Sequence, residues 1–151
     1  MRVWRITAAR FADHALSGYG AAQAGGRWNS RGTALAYTAD AVALAMLELL
    51  VHVDRADVPA GLRLLAFDVP DDAIAEVDPL PAGWSSFPYA AAVQQAGDAW
   101  VRGGRSLALR VPSAVARGHA NLLVNPAHAR FAELRRVSNE PLALDARLFG
   151  G

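Results

Sequence analysis

Between residues 41 and 53 the chain reads AVALAMLELLVHV, and Glu48 is the only formally charged side chain in that run. A carboxylate set among apolar neighbours either costs several kcal/mol by order of magnitude to desolvate or faces a cleft where its charge is used. Just upstream, GGRWNSRG (25–32) places Arg27 and Arg31 among glycines that allow a backbone to approach a ligand closely. The Arg27 guanidinium is a planar fork suited to paired phosphate oxygens. Tyr37, eleven residues before Glu48, offers a ring that could stack on a heterocycle. Plain alternatives stand beside each reading: a hairpin turn with a surface arginine and a core Trp28, a tyrosine packed on a sheet, and a glutamate paired with an arginine as a structural ion pair.

Other chemistries fit less well. The glycine loop is neither a dinucleotide fingerprint nor a P-loop, because it lacks GxGxxG after a strand and no GK[ST] follows. His52 lies four residues after Glu48, but the HExxH order is missing and His14, His119 and His128 have no ligand spacing, so no metal site is expected. Ser113, in VPSAV (111–115), has no nucleophile elbow around it and reads first as a turn or capping residue. NLLVNPAH (121–128) reads as a buried strand ending at an Asn125–Pro126 turn.

These residues need elements to hold them. VWRI (3–6) predicts a first strand and ALAYT (34–38) a second that leads into a helix capped by Asp40 and running to about His52. Apolar nearly all round, that helix is expected to be buried. LRLLAFDVP (62–70) reads as a central strand stopped by proline. In FPYAAAVQQAGDAWVRGG, preceded by Ser85 and Ser86, Tyr89, Val93, Ala96 and Trp100 recur at helical spacing and Gly103 supplies a stop. Strands are expected at SLALRVP from Ser106, at NLLVNP, and at PLALDARLF from Pro141, with Leu142, Leu144, Ala146 and Leu148 on one face. The irregular stretch 71–86 is a candidate flap. Helices and strands do not alternate regularly, so the expected class is α+β with a mixed or largely antiparallel sheet.

At 151 residues and 53% hydrophobic, with no repeat or linker, the sequence fits one domain over 1–151. It has no membrane-length apolar run and no secretory signal pattern, and the absence of cysteine excludes disulfides and thiolate chemistry; a cytoplasmic location is expected. All fifteen basic residues are arginine, the net charge is +1, and only Arg135 and Arg136 are adjacent, which gives no basic stripe for nucleic acid.

Taken in order, GGRWNSRGTALAYTADAVALAMLELLVH, LRVPSAV and NLLVNPAHARF resemble the RES domain family, the toxins of RES/Xre toxin–antitoxin systems. The name refers to arginine, glutamate and serine residues that fall here on Arg27, Glu48 and Ser113. The resemblance implies an ADP-ribosyltransferase-like split sheet with flanking helices around an NAD+ cleft, and cleavage of the nicotinamide glycosidic bond by hydrolysis, phosphorolysis or ADP-ribosyl transfer. Glu48 would stabilise the developing positive charge on the ribose, Arg27 would clamp the pyrophosphate with Arg31 as a weaker second group, Tyr37 would stack on nicotinamide, and Ser113 would position the ribose or Glu48. Trp28 and Asn125 would complete the substrate-binding set. NAD+ is then a substrate, no cofactor is required, and the implied partner is an Xre-type helix-turn-helix antitoxin forming a hetero-oligomer. Two alternatives are a ribonuclease toxin using Arg27, Glu48 and His52, and a nucleotide-binding or interaction module without turnover.

Overall fold

Seven strands form one sheet in the order β4-β5-β6-β2-β1-β3-β7, and this computed structural model describes residues 1–150. The strands are β1 Arg2–Ala8, β2 Ala36–Ala39, β3 Leu62–Asp68, β4 Ile74–Glu76, β5 Ala108–Pro112, β6 Ala120–Val124 and β7 Arg135–Leu142. Among the described residues only β4 and β5 pair in parallel; the other pairings are antiparallel. The α+β class with a mixed, mostly antiparallel sheet is therefore correct.

The sheet nearly divides at its middle. β1 follows β3 over seven register pairs but meets β2 at one pair alone, Trp4 with Ala39. Over this seam lies α2, Val42–His52, with Leu44 and Ala45 packed onto Ala39, Trp4 and Ile6. On the same sheet face, α3 (Ala91–Gly103) covers β5 and β6 through Val93, against Leu109, Val111 and Leu123. A short α1, Tyr19–Ala24, precedes the glycine loop. The opposite face is closed by the 3-10 turn Ala9–His14 and by Phe131 and Leu134, around Val3, Leu65, Leu122 and Val124.

Several expectations need correction. α2 is not buried: only Leu44 and Ala45 are, while Leu47 is 41% and Val51 56% exposed, because the helix packs on the sheet by one side and no other element covers its outer side. Asp40 does not cap it; the N-cap is Ala41, and the Asp40 carboxylate instead accepts from the Ala120 N–H at 2.8 Å and pairs with His119 at 2.9 Å. β3 lies one strand from an edge. The candidate flap contains β4, and the last strand begins at Arg135, so Ala146–Phe149 is a 3-10 turn where alternation had suggested sheet. α3 begins at Ala91 without a serine cap and stops at Gly104, which adopts φ 58° as its left-handed cap.

Candidate active site

The glycine loop is held from below by Tyr37 and from the side by α3. Gly26 and Asn29 close a tight turn through a 2.9 Å backbone bond. A side chain at Gly26 would meet the Tyr37 hydroxyl at 2.6 Å, so only glycine fits. That hydroxyl accepts from the Trp28 N–H at 3.0 Å and donates to Asn29 Oδ1 at 2.7 Å, while the fully buried Asn29 Nδ2 serves the carbonyls of Ala21, Ser30 and Thr33. Burial pushes the Tyr37 hydroxyl well above the usual phenol range, so it stays protonated and can donate. The sequence pointed to Tyr37 as a stacking ring; the structure makes it the post of the loop.

From α3, one helix face supplies three contacts at i, i+3 and i+4 spacing. Gln94 Nε2 donates to the Gly26 carbonyl at 2.9 Å, Gly97 lies directly against the Trp28 carbonyl, and Asp98 accepts the Ser30 N–H at 2.9 Å. Burial pushes the Asp98 carboxyl upward, but hydrogen bonds from Ser30 and Thr33 and the charge of Arg102 outweigh it and leave the group below its ordinary value.

Arg27 projects from this loop, half-buried. Its Nη1 donates to the carbonyls of Trp84 at 3.0 Å and Ser86 at 2.7 Å, and its guanidinium lies 4.9 Å from the centre of the Tyr89 ring. It therefore ties the segment preceding α3 to the loop, and among the described residues its Nη2 and Nε have no protein acceptor. Arg31 is exposed. Trp28 is 2% exposed and belongs to the core with Leu35, Val93 and Leu123, so its indole is packing rather than a surface for substrate.

Glu48 and Ser113 meet at the other end of this face. Ser113 follows β5, is buried, and its Oγ accepts the N–H groups of Val115 at 3.1 Å and Ala116 at 3.0 Å. With both acceptor sites filled, its proton is left to point toward Glu48 Oε1, a long contact at 3.5 Å. The half-buried Glu48 thus looks outward from α2 with a serine beside it. Asn125 lies elsewhere: its Nδ2 donates to the Val101 carbonyl and its Oδ1 accepts from Ala127, which secures the Asn-Pro turn. His52 is exposed on α2.

Arg5 is a residue that motif reading missed. Where β1 and β2 part, its Nη1 donates to the Tyr37 carbonyl at 2.7 Å, while its Nε is buried without a partner. Burial lowers its pKa, and among the described residues no carboxylate forms an ion pair with it. The period of two in VWRI carries the signal, because it places Arg5 on the same stripe as the core residue Val3.

Arg27, Tyr37, Glu48 and Ser113 are thus distributed along one face of the sheet. Tyr37 registers with Leu123 and Leu109, four residues along β5 from Ser113, roughly 13 Å at the rise of a strand. That length suits an extended, anionic, two-ended ligand. Among the described residues no group of acidic and histidine side chains is placed to hold a metal ion.

The RES domain model matches residues 2–145. The chain belongs to the RES domain family. It is 37% identical over 151 residues to Toxin Res of Yersinia enterocolitica, covering 98% of this chain and 99% of that one. It is 38% identical over 143 residues, 89% of each chain, to the Prs ADP-ribosylating toxin of a Sphingobium strain. Its fold is that of a chain in the crystal structure of the Mycobacterium tuberculosis MbcT–MbcA toxin–antitoxin complex, at TM-score 0.76 and 24% identity, over 99% of this chain and 86% of the other. By its family and these relatives the protein is a RES toxin.

Proposed function

We propose that this RES toxin breaks the bond between nicotinamide and ribose in NAD+ and is held in check by an antitoxin of the Xre helix-turn-helix type. The observation that carries the reading is the half-exposed Glu48 carboxylate with the fixed Ser113 hydroxyl beside it, on the sheet face that also bears Tyr37 and the glycine loop. As the bond lengthens, its electron pair leaves with nicotinamide and the ribose becomes oxocarbenium-like. Glu48 accepts a hydrogen bond from a ribose hydroxyl and stabilises the positive charge; Ser113 keeps the acid in place. Water, phosphate or a protein side chain then takes the ADP-ribose, with loss of a proton from the acceptor.

The remaining groups bind. Arg27 can offer Nη2 and Nε to the pyrophosphate while Nη1 keeps its carbonyls. NAD+ is the substrate and no cofactor is invoked. Among the described residues no helix is long and apolar enough to cross a membrane. The relative named as an ADP-ribosylating toxin supports NAD+ chemistry over RNA cleavage, as does the lack of a basic stripe.

The test is incubation of the purified protein with NAD+, with mass spectrometry of the products. Free nicotinamide plus ADP-ribose, ADP-ribose phosphate or an ADP-ribosylated protein supports the reading and names the acceptor. Intact NAD+ together with degraded RNA would replace it with a nuclease.

A further inference from the structure

Between the apolar cluster under α3 and the one under α2 runs a narrow strip of the same sheet face, which carries the half-buried Asn121 of β6. Alternation along β6 puts Asn121 on the face of Leu123, which packs with Tyr37 and Leu109 under α3. In register, Asn121 sits between Ala39 of β2 and Val111 of β5. It is thus one step of two residues from the Tyr37 row on one side and one step from the Ser113 row on the other, because Ser113 and His119 continue the ladder. Its flanking residues are apolar and covered, whereas Asn121 is half-buried.

The amide is only partly engaged. Nδ2 donates to the Thr38 carbonyl at 3.3 Å, which fixes the side chain along the sheet, and among the described residues Oδ1 has no donor. A half-buried acceptor oriented in this way, on a strip otherwise lined by apolar side chains, matches a flat ring carrying one N–H donor.

We infer that Asn121 Oδ1 accepts a hydrogen bond from the carboxamide N–H of the nicotinamide ring. This rests on the NAD+ reading above and adds to it the group that recognises the leaving base. Glu48 and Ser113 hold the ribose; one step of strand, roughly 7 Å, separates them from the Asn121 row, and that is the order of the distance from a ribose hydroxyl to the ring's carboxamide. Asn121 touches the base and positions it, and no proton is transferred.

The experiment compares NAD+ with its 3-acetylpyridine analogue, in which the amide N–H donors are replaced by a methyl group, on the wild-type protein and on Asn121→Ala. The ratio of kcat/KM for NAD+ to that for the analogue should fall about tenfold in Asn121→Ala, the value of one net hydrogen bond. The ratio is measured on one preparation, so loss of folded protein cancels; Asn121→Ser serves if the alanine variant does not fold. An unchanged ratio with wild-type turnover intact would overturn the role of Asn121 and leave the NAD+ reading standing. A wild-type protein that releases no nicotinamide would overturn both.

Discussion

Tyr37 and Arg5 meet at one peptide and divide two tasks. The Tyr37 hydroxyl holds the glycine loop by two short hydrogen bonds, and its carbonyl receives Arg5. Tyr37→Phe keeps the ring but leaves the Trp28 N–H and Asn29 Oδ1 without this partner. It is expected to lower unfolding stability by about 1–3 kcal/mol, readable by urea denaturation, and to impair turnover by loosening the loop. Stability equal to wild type would show that the hydroxyl is not the post described. At this scale Arg27 and Glu48 stand out in the sequence by type and setting, whereas Ser113 reads as a turn residue and enters the site only through the family resemblance. The tasks of Trp28 and Asn125 could not be read there, since one indole and one amide serve core and ligand equally well until burial is known.

α3 is the element on which the glycine loop depends. A methyl group at Gly97 would lie within bonding distance of the Trp28 carbonyl, so Gly97→Ala must push the helix off the loop; the expected cost is about 3 kcal/mol or more, seen as a lowered melting temperature. Asp98 gives the same contact an acid sensitivity. Its folded pKa lies below the unfolded value of 3.8, so its stabilisation is complete above that value and is lost as pH falls through the folded pKa. Asp98→Asn should therefore be less stable than the wild type at neutral pH, with the difference narrowing below about pH 4; a gap that widens in acid would contradict this. The helix itself was visible in the spacing of Val93, Ala96 and Trp100, but its partner was not, because a contact between Gly97 and a carbonyl 69 positions earlier leaves no periodic trace. α2 shows the converse. An apolar sequence identified a helix but not its environment, and Leu47 and Val51 remain exposed because a helix at a sheet seam is covered on one side only.

For the molecule as a whole, the pattern of strands and helices predicted the α+β class, while the strand order required coordinates. β1 ends up between β2 and β3 through pairings 35 and more residues apart, and the near-division of the sheet rests on the single Trp4–Ala39 pair. On the proposed NAD+ reading, that division and the two helices set apart on one face leave a dinucleotide to lie along the strip between them. The central claim is that Glu48 performs the chemistry from this strip, and the most direct measurement is nicotinamide released from NAD+ in a single turnover by the wild type and by Glu48→Gln, with folding checked by circular dichroism. The wild type should release nicotinamide, and the variant, folded and of similar stability, should be slower by about 10²–10³-fold. Release by Glu48→Gln at the wild-type rate would contradict the account.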